Sequence, residues 1–264
     1  MVGRLQRLAM TARTGSDSDD GVGLRNTLRG KFFYLLVVIV VLLVSYPYVG
    51  RGIAGRIIIN ALNLVVLALA IFAIQRSRRQ LAIMIALAAP TLAGQGVYLA
   101  TGSVPAMRVA AVSLLAFDLF TIVKILLYVL RGGEVTADKI HGAICAYLLL
   151  SLMWATAYVL VESLQPGSFA ATMVYDPGGR LDFYALLYFS IVTLTTAGYG
   201  DIVPVTTYAR SLANLEQLVG VFYVAILIAR LAGLYPPRGT RAPKRDNVYQ
   251  TGPLCPARRI AVGA

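Results

Sequence analysis

The chain has 264 residues, 58% hydrophobic and only 14% charged, with a mean hydropathy of +0.72 and a formal net charge of +12. Soluble domains carry about 25% charged residues, so this composition excludes an ordinary soluble domain and predicts a membrane protein. No soluble basic domain carries the positive charge, which excludes a nucleic-acid partner and leaves membrane topology and anionic lipid head groups to account for it.

Residues 1–30 are polar, with Ser16-Asp17-Ser18-Asp19-Asp20-Gly21 at their centre, and are expected to form a disordered cytoplasmic head. The first apolar run is too long for a signal peptide and lacks a small-residue cleavage end. Six apolar runs of at least 17 residues follow, at 32–49, 57–75, 80–100, 105–130, 140–162 and 206–233. At about 1.5 Å per residue, 17 residues reach roughly 26 Å, enough to cross a bilayer core. Phe32 to Val49 and Gly142 to Val161 contain no charge. Pro90, Gly94 and Gly96 interrupt the third run, and Asp118 and Lys124 lie inside the fourth. With the N-terminus inside, 18 basic residues fall on cytoplasmic segments and five on external ones. Both termini are therefore expected in the cytoplasm.

A lone carboxylate such as Asp118 at mid-membrane costs about 2.5–3.5 kcal/mol on insertion scales. Lys124, six residues on, is poorly placed to pair with it along one helix, leaving Asn60, Asn63 or protonation to satisfy it. Asp118 is a candidate intramembrane sensor; the alternative is a satisfied structural hydrogen bond. His141, at the inner end of the fifth span, is either a proton sensor or packing. Cys145 lies in a span and Cys255 in the tail, which suggests neither a disulfide nor a metal site.

From 139 to 235 the pattern is span, outer loop, short helix, glycine-rich segment, span. Pro166, Gly167, Pro177, Gly178 and Gly179 make 164–181 a loop. Asp182 fits a helix N-cap, with Leu181 and Leu186 as a hydrophobic staple. The helix expected over 183–195 is too short to span, so it should enter from outside and return, its non-helical continuation buried by protein. Its negative C-terminal end would then favour a cation. No charge intervenes between Asp182 and Asp201.

The segment that follows is Thr195-Thr196-Ala197-Gly198-Tyr199-Gly200-Asp201, with Thr193 just before it. A dehydrated K⁺ needs oxygens in place of its water shell, and backbone carbonyls supply them only if all point to one axis. Gly198 and Gly200 stand where the required backbone angles are inexpensive only for glycine. The Thr196 hydroxyl can add an oxygen at the inner end. This string resembles the pore signature of potassium channels, Thr-x-x-Thr-x-Gly-Tyr-Gly-Asp, with Thr193 and Thr196 in its two threonine places.

The resemblance implies an all-α membrane protein of six transmembrane helices, with a re-entrant pore helix and selectivity-filter loop between the last two. Residues 31–131 would form a four-helix membrane module, 139–235 the pore module and 236–264 a cytoplasmic tail. One filter per chain supplies a quarter of a closed cage of oxygens, so a homotetramer is expected. K⁺ would be the permeant ion, lined by Thr196, Ala197, Gly198, Tyr199 and Gly200. Thr193 and Thr195 would support the filter, and Asp201 would place a ring of carboxylates at the external mouth. No cofactor and no enzymatic step are implied.

In the last span Glu216 is ionisable in an apolar setting, hence a functional candidate. It is expected to accept hydrogen bonds near the pore helix and hold the filter; the alternative is a carboxylate snorkelling at the surface. Gly220 matches the hinge-like glycine of the family's inner helix, or simply lets helices approach closely. Departures from the family pattern are Ala197 for valine, Tyr188 and Phe189 for a tryptophan pair, and Val192 where some bacterial relatives have glutamate. Phe189 cannot donate to the Tyr199 hydroxyl, so K⁺ over Na⁺ preference is less assured.

Six spans ending in a pore also resemble the layout of voltage-gated channels, yet the fourth span has no periodic arginines, only Arg108, Asp118 and Lys124. The 27 residues after Pro237 are too few for a regulatory domain. The sequence thus predicts a passive potassium-selective channel subunit of a bacterial plasma membrane, the arginine-over-lysine habit suggesting a GC-rich genome. The rival readings are a weakly selective cation channel and a non-conducting sensor with a pore-like fold. No internal repeat supports a secondary transporter.

Overall fold

A computed structural model describes residues 30–45, 48, 53–75, 77–131, 136–172 and 181–234. The expected head, apart from Gly30, and the expected tail lie outside the described residues. Within them the chain forms seven helices and one short ribbon. In order these are α1 (Lys31–Ser45), α2 (Ile53–Ile74), α3 (Arg78–Thr101), α4 (Val104–Leu130), α5 (Ala137–Leu164), β1 (Phe169–Ala171), α6 (Phe183–Leu194), β2 (Ile202–Pro204) and α7 (Thr207–Leu234).

Local chemistry sets the boundaries. The Ser77 hydroxyl accepts from the Gln80 amide at 3.3 Å and starts α3. Gly102, at φ 69°, ends it by donating to the Tyr98 carbonyl at 2.9 Å, the left-handed stop that favours glycine. Thr136 caps α5 through the Lys139 amide. Asp182 caps α6, its carboxylate accepting from the Ala185 amide at 2.9 Å. Leu186 is fully buried and Leu181 packs against the same core.

The third apolar run is one continuous helix despite Pro90, Gly94 and Gly96. Neighbouring helices make such residues tolerable in a membrane. Gly94 is moreover a contact point, since a Cβ there would meet the Ala106 carbonyl at 2.7 Å and the Ala110 Cβ at 2.9 Å. Its lack of a side chain draws α3 and α4 together.

Five described helices, α2, α3, α4, α5 and α7, are long and apolar enough to cross a membrane. Of the expected first span, 32–49, helix α1 describes the part to Ser45, and α1's 15 residues reach about 22 Å at 1.5 Å per residue; residues 46, 47 and 49 lie outside the described residues. This is a mostly helical membrane protein. The two three-residue strands were not anticipated by the all-α expectation, which read 164–181 as loop and assigned no element to 202–205.

Helix α5 is the hub. One side packs on α1 and α4, the other on α6 and α7, and its buried residues run through its central turns, from Gly142 to Tyr158. Helices α3 and α4 pack on each other, and α2 lies against α1. The ribbon is antiparallel, with Phe169 opposite Pro204, Ala170 opposite Val203 and Ala171 opposite Ile202. It joins the segment after α5 to the segment after the Gly-Tyr-Gly string. Glu162 sets the turn into it, accepting from the amides of Gly167 at 2.8 Å, Ser168 at 2.9 Å and Phe169 at 3.3 Å.

Candidate functional site

Helix α6 is apolar and mostly buried, and its C-terminal end delivers the chain to the Thr195–Asp201 segment. The reversal is held by backbone bonds. Thr195 donates to the Ile191 carbonyl and Thr196 to the Thr193 carbonyl, both at 3.0 Å. The amides of Ala197 and Gly198 both donate to the Val192 carbonyl, at 2.9 and 3.4 Å. The Thr195 hydroxyl folds back onto the Ile191 carbonyl at 2.7 Å. Thr193 is buried beneath this turn.

Beyond it the backbone alternates. Thr196, Gly198 and Gly200 have φ of 59°, 57° and 77°, while Ala197 and Tyr199 between them do not enter positive φ. In an ordinary strand successive residues face opposite ways. Inverting φ at every second residue turns successive peptide planes toward a common side, which is how a short segment can offer a column of carbonyls. Glycine takes this conformation easily, but Thr196 does so at a cost. Among the described residues it is the one non-glycine with positive φ. Such strain persists where the surroundings over-determine it, and it concentrates at functional sites.

The segment 195–200 is exposed within the single chain, with Tyr199 71% accessible. Its C-terminal end is anchored to the ribbon, where the Asp201 carbonyl accepts from the Thr172 amide at 2.8 Å and the Thr172 hydroxyl at 3.2 Å. The Asp201 carboxylate accepts from the Ile202 amide at 3.1 Å. Gly198 and Gly200 have open space where a Cβ would stand, so backbone conformation rather than crowding selects glycine there.

Behind this segment lies a polar knot in an apolar core. Glu216 of α7 is fully buried. Its Oε1 accepts from the Ser190 hydroxyl of α6 at 2.5 Å, and its Oε2 accepts from the Tyr158 hydroxyl of α5. The Ser190 hydroxyl also lies 2.9 Å from the Ser151 carbonyl of α5. One carboxyl group therefore joins the three helices that frame the segment, and it does not snorkel to a surface. The Tyr158 ring packs against Phe169 and Phe189, each with centroids 5.2 Å away. Phe189 is thus turned into this aromatic cluster. The ring set against Tyr199 is that of Tyr188, at 6.4 Å and 29°.

Gly220 packs where α7 crosses the end of α6, and a Cβ on it would collide with the Leu194 carbonyl. That carbonyl also accepts from the Tyr147 hydroxyl at 3.3 Å. The arrangement is the close approach of two helices within one continuous α7. Asp118 is buried in α4, 5% accessible. Its carboxyl has no hydrogen-bond partner among the described residues, so the expected pairing with Asn60 or Asn63 is not formed. Those two asparagines instead line a cavity of about 200 Å³ with Gln95 and Tyr98. At the other end of α4, Arg108 donates from Nε to the Ser163 hydroxyl at 3.3 Å and from Nη2 to the Ser163 carbonyl. It thereby holds the C-terminal end of α5 to the first helices.

Three elements escaped sequence reasoning: the Tyr158 and Ser190 partners of Glu216, the ribbon with its Glu162 turn, and the Arg108 clasp. Glu162 and Arg108, charged at the ends of apolar runs, were the available signals.

Residues 146–235 match a protein family described as ion channel. The chain is 42% identical over 52 residues to "Probable potassium channel protein 2" of Methanocaldococcus jannaschii, covering 20% of this chain and 15% of that protein. It is 28% identical over 81 residues to a potassium channel protein of Paramecium bursaria Chlorella virus 1, covering 30% of this chain and 85% of the relative. With the voltage-gated potassium channel of Aeropyrum pernix it shares 31% identity over 101 residues, 38% of this chain and 31% of the other. Apart from the viral protein, the chain spans less than a third of the length of these relatives.

Proposed function

We infer that this membrane chain, whose relatives place it with the potassium channel family, is a subunit of a passive, K⁺-selective pore assembled from four copies. One observation carries the reading: positive φ at every second residue of Thr196-Ala197-Gly198-Tyr199-Gly200, immediately after the C-terminal end of a short buried helix. In this reading the carbonyls of that string, with the Thr196 hydroxyl at its inner end, replace the water shell of K⁺. Ions pass from site to site by mutual repulsion and leave past Asp201. The partial negative charge at the end of α6 lowers the energy of the cation as it enters.

Four copies follow from geometry, because one strand of carbonyls cannot enclose an ion. The exposure of the string within one chain, and of most of α7, supports this. The stripe Ala209, Ala213, Glu216 and Gly220 turns toward the chain's own helices, while Leu215, Leu218, Val221 and Phe222 remain exposed, available to lipid or to neighbouring copies. Glu216, Thr193 and Thr195 act as filter supports in this scheme. The pore opens to K⁺ without any covalent step. In the bacterial plasma membrane both termini would lie in the cytoplasm.

A second reading, weak discrimination between K⁺ and Na⁺, is favoured by Phe189. Its ring is engaged with Tyr158 and Phe169 and offers no hydrogen bond to the Tyr199 hydroxyl. Flux into liposomes carrying the purified protein, under K⁺ or Na⁺ gradients, separates the two. K⁺-favouring flux that vanishes in Gly198→Ala supports the selective filter. Equal flux of both ions supports the second reading, and no flux at any pH or voltage argues against conduction.

A further inference from the structure

Five helix ends meet on one side of the bundle, namely the N-terminal ends of α1, α3 and α5 and the C-terminal ends of α2 and α4. They surround a cavity of about 440 Å³ whose polar lining is Lys31, Lys124, Arg131, Gln80, Tyr128 and Asp138. Three cations face one carboxylate. That carboxylate is already engaged, Oδ1 accepting from the Phe32 amide at 3.2 Å and Oδ2 from the Tyr128 hydroxyl at 3.1 Å. No carboxylate pairs with Lys31, Lys124 or Arg131 among the described residues. The ammonium groups of Lys31 and Lys124 instead sit over the Phe72 and Phe120 rings, at 5.7 and 5.2 Å. Lys124 is thus a charge on an apolar helix with no anion to answer it among the described residues.

We propose that this cavity binds a phosphate-bearing anion, held by Lys31, Lys124 and Arg131, and that the anion is the head group of an acidic phospholipid. Helix α4 has 27 residues, about 40 Å at 1.5 Å per residue, against a hydrocarbon core of about 30 Å. Its surplus length carries its last turns into the head-group layer. Lys124 lies six residues before Leu130, roughly 9 Å from that end. Three helix N-termini against the two C-termini of α2 and α4 leave a net partial positive charge, of the kind that receives phosphate. Ile74 and Leu127, which also line the cavity, give an acyl chain an apolar wall. Clusters of basic residues between helices at the membrane edge recognise anionic head groups in this way. The proposal rests on the chain being embedded in a membrane and not on its conducting ions, so its fate is separate from that of the filter.

The test is native mass spectrometry of the purified full chain titrated with phosphatidylglycerol or phosphatidylcholine, with glycerophosphoglycerol and inorganic phosphate as soluble competitors. Phosphatidylglycerol should be retained in preference. Lys124→Gln and Arg131→Gln should each weaken it about fivefold, and together about 25-fold, at roughly one surface-charge contribution apiece. Lys124→Arg should keep the binding, and Arg79→Gln, at the same end but outside the cavity lining, should not change it. Should Lys124→Gln fail to elute as the folded species, the exposed Lys31→Gln serves in its place. Displacement of the lipid by inorganic phosphate would support the phosphate chemistry and assign it to a soluble anion. Equal retention of phosphatidylcholine, or unchanged affinity in the double variant, overturns the proposal.

Discussion

Replacing Tyr158 by Phe removes one oxygen and leaves the ring in place. The ring keeps its contacts with Phe169 and Phe189, so packing is little disturbed. What is lost is the hydrogen bond to Glu216 Oε2, in a site with no water-accessible surface. A buried acceptor left without its donor costs about 1–3 kcal/mol. Taking about 2 kcal/mol, and about 2–4 °C per kcal/mol for a chain of this size, the melting temperature should fall by roughly 4–8 °C. Ser190→Ala should cost a similar amount through Glu216 Oε1. Because both hydroxyls serve one carboxyl group, the double variant should depart from the sum of the singles by about 0.5–3 kcal/mol. Thermal unfolding of the purified protein in one detergent, followed by intrinsic fluorescence, reads all four corners of the cycle. Additive shifts, or Tyr158→Phe melting with the parent, would refute the shared knot. If the knot also holds the filter, the K⁺/Na⁺ permeability ratio of Tyr158→Phe should drop together with its melting temperature.

Gly220→Ala should destabilise by about 1–3 kcal/mol, the usual cost of overpacking, because its Cβ meets the Leu194 carbonyl; a melting curve equal to the parent's would remove the close-approach account. Arg108→Lys should lose most of what Arg108→Gln loses, since an ammonium cannot reproduce the two-pronged grip on Ser163; full recovery of melting temperature by lysine would sink that account. Glu162→Ala strips the acceptor from three amides and should speed hydrogen exchange over 167–171 severalfold, while exchange in α5 before residue 160 stays as it was. Exchange unchanged across the turn would show that the ribbon holds itself.

The region around the Gly-Tyr-Gly string was the most legible in sequence, because its requirements are local. A carboxylate before an apolar run makes the Asp182 cap, and glycine at alternate positions permits the inverted φ. Positive φ at Thr196 was not legible, since a β-carbon normally opposes it and only the bonds from the preceding helix impose it. The span boundaries came within a few residues, apolar length being a property of the chain itself. Pro90 interrupts the third run in sequence but not in structure, because its cost is set by the neighbours that surround it. Partners for Glu216 lie 58 and 26 residues away, and no spacing rule connects residues on different helices. The ribbon was invisible for a different reason: three residues are too few to show a period of two, and Pro204 argues against a strand wherever it is not at an edge.

The two-sided packing of α5 makes the chain divisible. One flank of that helix packs on α1 and α4 and the other on α6 and α7, and the contact across the first flank is mostly apolar, with hydrogen bonds at Asp138, Cys145 and Ser163 among it. In water, stripping away α1 to α4 would bare an apolar flank and end in aggregation. In a bilayer acyl chains are as apolar as leucine side chains, so lipid can take the vacated places at little loss. The stretch from α5 to α7 is therefore placed to be a transplantable unit, able in principle to change its companions without rebuilding its interior.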